Sequence, residues 1–319
     1  MVKILFAENY SLDNDNSMST CYTLKCNKIK NDYRFHFYNI GMDEKINTDD
    51  FETVIFGCRS IYLYKCYKGK IKNDLMEKNL ELCKIKNKYF IIQDMHRKTY
   101  GNINMLCQFL VNNNINIIFT FYQNTEATLI RNKTKTVKHF YIPHHIDTSI
   151  FNHLNMEKKY DILLFGAIHP IHYRFRKRLF ELILQNKDFF NIHYIEKPET
   201  FDPNVCENGL AKLINMSKIC IATKSKYDYL VGKYFEIMMC NSLIAGNIPT
   251  DGINILKNNI IELDEKMSDN EIIDLLKNAL ENYDQYSDKI NHLYDYTKNN
   301  HGLDIYSDKL YQIVQSVQK

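Results

Sequence analysis

Short apolar runs alternate with longer amphipathic or polar stretches along the chain, a pattern that predicts parallel sheets built from strand–helix–strand units. Residues 2–7, 53–57, 89–93 and 115–119 read as strands of a first domain, closed by 141–143. Residues 161–166 open a second domain. Further on, Ile219 and Ile221 mark a short buried strand, a polar loop follows, and a helix begins at Gly232. Within that helix Phe235, Met238 and Met239 recur at i, i+3 and i+4 and so face a core, while Lys233 and Glu236, three apart, project together elsewhere. Asn241 tolerates the left-handed backbone of a helix C-terminus and stops the helix, and 243–246 is the next buried strand. Beyond Leu263 the chain turns acidic and helical, with Ile272, Ile273, Leu275, Leu276 and Leu280 in helical period; 303–317 is amphipathic too. No segment repeats at a fixed period.

Length and composition narrow the function classes. A chain of 319 residues, 45% hydrophobic and 25% charged, suits two ordinary domains. The net charge of +3 is too small to call for nucleic acid as a partner on electrostatic grounds. Nine cysteines, without a CxxC pair or a zinc-finger set, fit reduced thiols in a reducing compartment. The N-terminal apolar run is too short for a signal peptide, and nothing approaches the roughly 20 apolar residues of a membrane span. The expectation is a soluble, cytoplasmic protein with no transmembrane segment. Abundant Asn, Lys, Ile and Tyr, beside 10 Gly, 5 Pro and no Trp, read as the imprint of an AT-rich microbial or viral genome. The triplets at Asn132 and Asn215 are then chance matches to a glycosylation signal.

Several chemistries lack their necessary parts. There is no GxSxG elbow, no Walker lysine loop, no HExxH and no GxGxxG fingerprint; the first strand runs instead into a polar, glycine-free loop. His144, His145, His169 and His172 have no carboxylate or cysteine at metal-ligand spacing, so they read as linker and loop histidines, with no metal site. His169 follows Gly166 closely enough to meet a phosphate.

The richest stretch is 218–252. A loop bearing Lys224, Lys226 and Asp228 leads into the helix that carries Lys233 and Glu236, and the positive end of that helix attracts phosphate. Gly166 stands where a strand must turn sharply, and Arg174 follows at a helix start. Arg174 and Lys233 are therefore the expected phosphate contacts, with Lys224 beside them; Arg176, Lys177 and Arg178 read as a solvated helix face. In the first domain, Asp94 and His96 come at the carboxyl end of a parallel strand, where open α/β sheets bind ligands. A neutral His96 imidazole could touch a ligand or move a proton there, against the plain alternative of a loop cap.

At these residues the chain resembles the donor-binding half of the GT-B glycosyltransferases, specifically glycosyltransferase family 4 and the spore-maturation CgeB-like group. The signature is a pair of acidic residues with seven between them; Asp228 and Glu236 make it a D-x7-E variant, with Asn241 where the family commonly has Gly. Ile142, Pro143, Asp147 and Phe151 fill the places of the family's interdomain crossing. The resemblance implies an α/β GT-B fold: two Rossmann-like domains facing each other across a cleft, an acceptor-side domain over 1–146, a donor-side domain over 147–295, and a C-terminal helix, 296–319, returning to the first. It implies a hexosyl- or N-acetylhexosaminyltransferase that takes a UDP- or GDP-sugar as donor, needs no cofactor or metal, and retains anomeric configuration. The acceptor would be a glycan, a protein or a small molecule. By the same resemblance Glu236 holds the ribose hydroxyls, and Asp228 and His96 lie near the transferring sugar as the catalytic candidates. Gly166, Arg174, Lys224 and Lys233 would meet the diphosphate. Two alternatives stay open: a catalytically silent nucleotide-sugar binding protein, and a nucleotide-sugar epimerase.

Overall fold

The computed structural model describes residues 3–9, 20–43, 45–60, 71–92, 102–123, 125–195 and 208–318. The chain divides into two compact units, one comprising Met1–Met18, Lys25–Pro143 and Ser307–Lys319 and the other Ser19–Leu24 and His144–Tyr306. Along the first part run β1 (Ile4–Glu8), α1 (Thr20–Lys30), β2 (Phe35–Asn39), β3 (Thr53–Phe56), α2 (Ile71–Leu82), β4 (Asn87–Ile92), α3 (Ile103–Asn112), β5 (Ile117–Thr120), α4 (Thr125–Lys133) and β6 (Lys138–Tyr141). Then come β7 (Tyr160–Leu164), α5 (Arg174–Gln185), β8 (Ile192–Tyr194), α6 (Asn208–Asn215), β9 (Ser217–Ile221), α7 (Gly232–Met239), β10 (Leu243–Gly246), α8 (Ile253–Leu256), β11 (Ile261–Glu262), α9 (Asp269–Glu281), α10 (Ser287–Asn300) and α11 (Leu303–Gln318).

The first unit holds a six-stranded sheet, order β2-β1-β3-β4-β5-β6, and the second a five-stranded sheet, order β11-β10-β9-β7-β8. Every pairing in both is parallel. Central strands such as β1, β3 and β5 are buried at every residue, because helices cover both faces of such a sheet. That double burial is what made them legible as apolar runs. All four edge strands differ from the sequence expectation, the two-residue β11 having no counterpart in it. β2 (FHFYN) and β8 (IHY) mix polar and apolar residues and give no apolar run, and β6 lies at 138–141 rather than 141–143. Each is the last strand of its sheet, where one long side needs no neighbour and continuous hydrophobicity is not required. Val2 and Gln93, the expected ends of two strands, lie outside the described residues.

In the second unit the strand alternation sorts the core into two layers. Leu163, Cys220 and Ile244 face α6, α7 and α10 through Ala211, Ile214, Phe235, Met238, Met239 and Leu293. Ile162, Leu164, Ile219, Ile221, Leu243 and Ala245 face α5 and α9 through Leu179, Ile183, Ile272 and Leu276. Helices α5 and α7 thus lie on opposite faces, and both begin at the carboxyl ends of the strands. Gly246 closes β10 so near its neighbour that a Cβ there would run into the Ala222 carbonyl oxygen, which keeps the loops after β9 and β10 side by side.

The terminal helix α11 is fastened within the first unit by Arg34. Its guanidinium binds Asp32 at 2.5 and 2.8 Å, pairs with Asp308 at 2.7 Å, donates to Ser307 Oγ at 3.3 Å and lies 5.1 Å over the Tyr311 ring. Leu310 and Val314 of the same helix are fully buried. The Arg34 hydrogen bonds hold the Asp32 carboxyl below its ordinary value despite burial. Stability from this clasp is therefore present above the usual aspartate range and lost as pH falls through the lowered value. Arg34→Ala should destabilise the first unit by about 2 kcal/mol at pH 7. Denaturant unfolding of wild type and variant at pH 7 and near pH 3 checks this, with the gap shrinking at the lower pH.

Candidate functional site

Strand order locates the site in the second unit. From β7 the chain goes to β8 on one side, then crosses back to β9 on the other, so the crevice outside the carboxyl ends of β7 and β9 is the switch point of this sheet. The loop after β7 (165–173), the loop after β9 (222–231) and the starts of α5 and α7 meet there.

The β7 loop turns at Gly166, whose φ of +89° is a left-handed conformation that side chains resist. A Cβ there would also lie 2.7 Å from Lys233 Nζ. Lys233 is buried on the first turn of α7; its ammonium donates to the Phe165 carbonyl and lies 3.8 Å over the Phe165 ring. Burial, and then the charge of Arg176, pull the Lys233 ammonium well below the usual lysine range, against the opposing pull of Glu236. Arg176 is just as enclosed. Its Nε and Nη2 donate to Thr223 Oγ1 and O at 3.1 and 2.8 Å, its Nη1 to the Ala167 carbonyl at 3.0 Å, and its plane lies 4.0 Å over the Tyr173 ring.

These ties set the direction of the peptide groups. In a planar trans peptide the N–H points opposite to the C=O, so a carbonyl drawn toward a buried cation turns the next N–H the other way. Phe165 and Ala167 are held so, and among the described residues the N–H groups of Gly166, Ala167 and Ile168 have no hydrogen-bond partner. The N-cap residues of α5 and α7, Tyr173 and Val231, give no side-chain cap, and neither helix has an acid in its first turn. Among the described residues the N–H groups of Arg174, Phe175 and Arg176 in α5 and of Gly232 and Lys233 in α7 are open, while that of Tyr234 donates to the Val231 carbonyl at 3.2 Å, and two positive helix ends add to the field. The arrangement is a cradle for an anion.

Glu236 sits one turn into α7, half-buried and not paired with Lys233, whose ammonium goes to Phe165 instead. Loss of water around the Glu236 carboxyl pushes it up to about 7, partly offset by Lys233. Arg174 is the first residue of α5 and is exposed, and its side chain makes no hydrogen bond or ion pair among the described residues. Lys224 pairs with Asp228 at 2.7 Å, and its N–H donates to Asn247 Oδ1 at 3.0 Å. The residues expected at one site, Gly166, Arg174, Lys224, Asp228, Lys233 and Glu236, thus all lie on the two loops and two helix starts at this switch point. His96 lies outside the described residues.

One expectation is corrected. Arg176 is not part of a solvated face; it is buried, while Lys177 pairs with Glu181 on the surface and Arg178 reaches Asp269 at 2.6 Å. The signal was there in the spacing: 176, 179, 180 and 183 stand at i, i+3, i+4 and i+7, and Leu179, Phe180 and Ile183 are core. Charge type outweighed period in the sequence analysis. Thr223, which receives two of the Arg176 bonds, carried no signal of its own.

The rings of His169 and His172 lie 5.1 Å apart, tilted by 46°, beside Tyr227, and among the described residues no group of three or more His, Cys, Asp or Glu is placed to hold a metal. Nor is any helix among them long and apolar enough to cross a membrane.

No protein-family model matches the sequence, and no curated protein does. Solved structures do match in fold. HepE of Anabaena in complex with UDP-glucose superposes at a TM-score of 0.62 with 7% identity, over 99% of this chain and 100% of that one. Sucrose-phosphate synthase from Thermosynechococcus elongatus gives 0.58 at 10% identity over 99% and 100%. An α-glucosyltransferase in complex with UDP-glucose and DNA containing an abasic site gives 0.57 at 11% over 98% and 99%. These are GT-B glycosyltransferases, and the α/β architecture of two parallel sheets with alternating helices is the one this chain shares with them.

A raised carboxyl has a thermodynamic signature. With Glu236 near 7 when folded and near 4.5 when unfolded, the folded state binds the extra proton between those values, so stability falls as pH rises from about 4.5 to about 7 and is flat beyond. Glu236→Gln removes that slope. Its stability relative to wild type should rise on the order of 2 kcal/mol between pH 4.5 and pH 8, measured by chemical denaturation across the range. Parallel curves would mean that Glu236 titrates normally.

Proposed function

We propose that this protein transfers a sugar from a nucleotide diphosphate sugar to an acceptor. The observation that carries the proposal is the anion cradle at the second unit's switch point, where open N–H groups at Gly166, Ala167 and Ile168 adjoin two uncapped helix starts. A departing nucleoside diphosphate gains negative charge as the glycosidic bond breaks, and preorganised N–H dipoles and buried cations stabilise charge that develops there. Lys233 and Arg176 shape the cradle from behind; Arg174, exposed at the head of α5, and Lys224 are the cations that can come to the phosphates from the open side. Glu236 takes the ribose hydroxyls from α7, and its carboxylate accepts their hydrogen bonds best above about pH 7.

The donor is a UDP-sugar on this proposal, which is supported by two fold neighbours in complex with UDP-glucose. The D-x7-E spacing of Asp228 and Glu236 supports kinship with family 4 and the CgeB-like group, and with it a hexosyl or N-acetylhexosaminyl transfer that retains configuration without a metal. The proposal keeps the division of labour that the resemblance implies, with 1–146 as the acceptor side, 147–295 as the donor side, and 296–319 as the returning segment. His96 is the residue proposed to meet the sugar from the first domain.

The test begins with thermal melting against UDP, GDP, ADP, TDP and CMP and their sugar conjugates, since a ligand of the folded state raises the midpoint according to its concentration over its dissociation constant. One nucleotide diphosphate should raise the midpoint selectively, and Glu236→Ala should weaken its binding by about 2–3 kcal/mol, the cost of losing hydrogen bonds to a charged group. No response to any nucleotide would overturn the proposal. Binding without donor turnover would mark a silent binding protein, and an altered sugar still on its nucleotide an epimerase.

A further inference from the structure

Asp228 ends a tight turn. Its N–H donates to the Ser225 carbonyl at 2.9 Å, the Tyr227 N–H donates to Ser225 Oγ at 3.2 Å, and its own φ is +60°. From that left-handed position the carboxylate reaches out of its own loop. Oδ2 accepts the N–H of Thr250 at 3.1 Å, and Oδ1 pairs with Lys224 Nζ at 2.7 Å. Thr250 opens the short 3-10 turn Thr250–Gly252, whose N-cap residue, Pro249, gives it no side-chain bond. Asp228 therefore supplies a cap in trans to a turn that lacks one of its own.

The same two loops are joined a second time. Asn247 accepts the Lys224 N–H at 3.0 Å, donates to Glu265 Oε1 at 3.3 Å, and offers its carbonyl to the Tyr234 hydroxyl at 2.6 Å. Below both joints, Gly246 lets β10 come against Ala222. Of the two Asp228 oxygens, Oδ2 is hydrogen-bonded to a backbone N–H, while Oδ1 is buried beside the Lys224 ammonium as an ion pair and has no hydrogen bond among the described residues.

We infer that Asp228 is a positioning residue, which clasps the loop after β9 to the loop after β10 and holds Lys224 in place, and not a group that acts on the transferring sugar. The clasp itself stands on geometry alone; only its consequence for donor binding rests on the transferase proposal. Amide exchange at Thr250, followed by NMR, and steady-state donor kinetics read the two parts separately. Asp228→Ala should speed Thr250 exchange about tenfold or more, as expected where a local opening loses its closing contact, and raise the donor KM about tenfold with a smaller change in kcat. Asp228→Asn keeps an oxygen for Thr250 and a side chain that tolerates left-handed backbone, so it should restore the exchange protection, and it should recover the KM only in part, because its amide nitrogen then faces the Lys224 ammonium. An Asp228→Asn variant that loses kcat by about a hundredfold at unchanged KM, with Thr250 still protected, would put the carboxylate on the sugar and overturn the inference. Should wild type turn over no donor, the transferase proposal fails by itself, and unchanged Thr250 exchange in Asp228→Ala would still overturn the clasp. If Asp228→Ala does not fold, Asp228→Asn alone decides between the two roles.

Discussion

The candidate site depends on two buried cations that spend their hydrogen bonds on main-chain carbonyls. Lys233 takes Phe165, and Arg176 takes Ala167 and Thr223. Those three carbonyls would otherwise face the mouth of the sheet, where they would repel an anion. Turned inward, the Phe165 and Ala167 carbonyls leave the Gly166 and Ile168 N–H groups toward the site, while the N–H that follows Thr223 goes to Asn247, and Gly166 is the residue that can follow such a turn. An anion-binding loop is usually explained by its N–H groups, but here the orientation of those groups is set from behind.

Burying cations carries a cost, because an ammonium or guanidinium loses water that a carbonyl only partly replaces. Two aromatic faces, Tyr173 under Arg176 and Phe165 under Lys233, return some of it. The two cations also repel, and both that repulsion and burial hold the Lys233 ammonium below its usual range. Glu236, on the same turn of helix, relieves the field in part and is itself pushed toward protonation. On the proposed function, an arriving diphosphate would favour the charged Lys233 ammonium and the protonated Glu236 carboxyl. Ligand affinity and the ionisation of Lys233 and Glu236 are on this account one coupled quantity.

The loops that line the mouth are held by backbone as much as by charge. Gly246 sets the spacing of β9 and β10, Asn247 and Asp228 tie their loops, and Arg178 fixes the stretch before α9 through the Glu265 and Met267 carbonyls. The first unit shows the same economy at a different place, with Arg34 joining the turn before β2 to the last helix. In both units arginine does this work because its planar fork can serve several acceptors at once.

The sequence by itself determined what depends on local period. Central strands of a doubly covered parallel sheet must be apolar throughout, so β1, β3, β4, β5, β7, β9 and β10 were legible; the start of α7 at Gly232, its core face, and its end at Asn241, where φ is +53°, followed from spacing and from one residue's tolerance. Edge strands β2, β6 and β8 escaped because burial does not dictate their composition. Tertiary structure alone decided which partner each polar side chain takes. Arg176 meets Thr223 across 47 positions, Lys233 meets Phe165 across 68, and Asp228 meets Thr250 across 22. Periodicity tells which way a side chain points from its own helix or strand, but the atom it finds there belongs to another element, brought near only when the sheet closes its order.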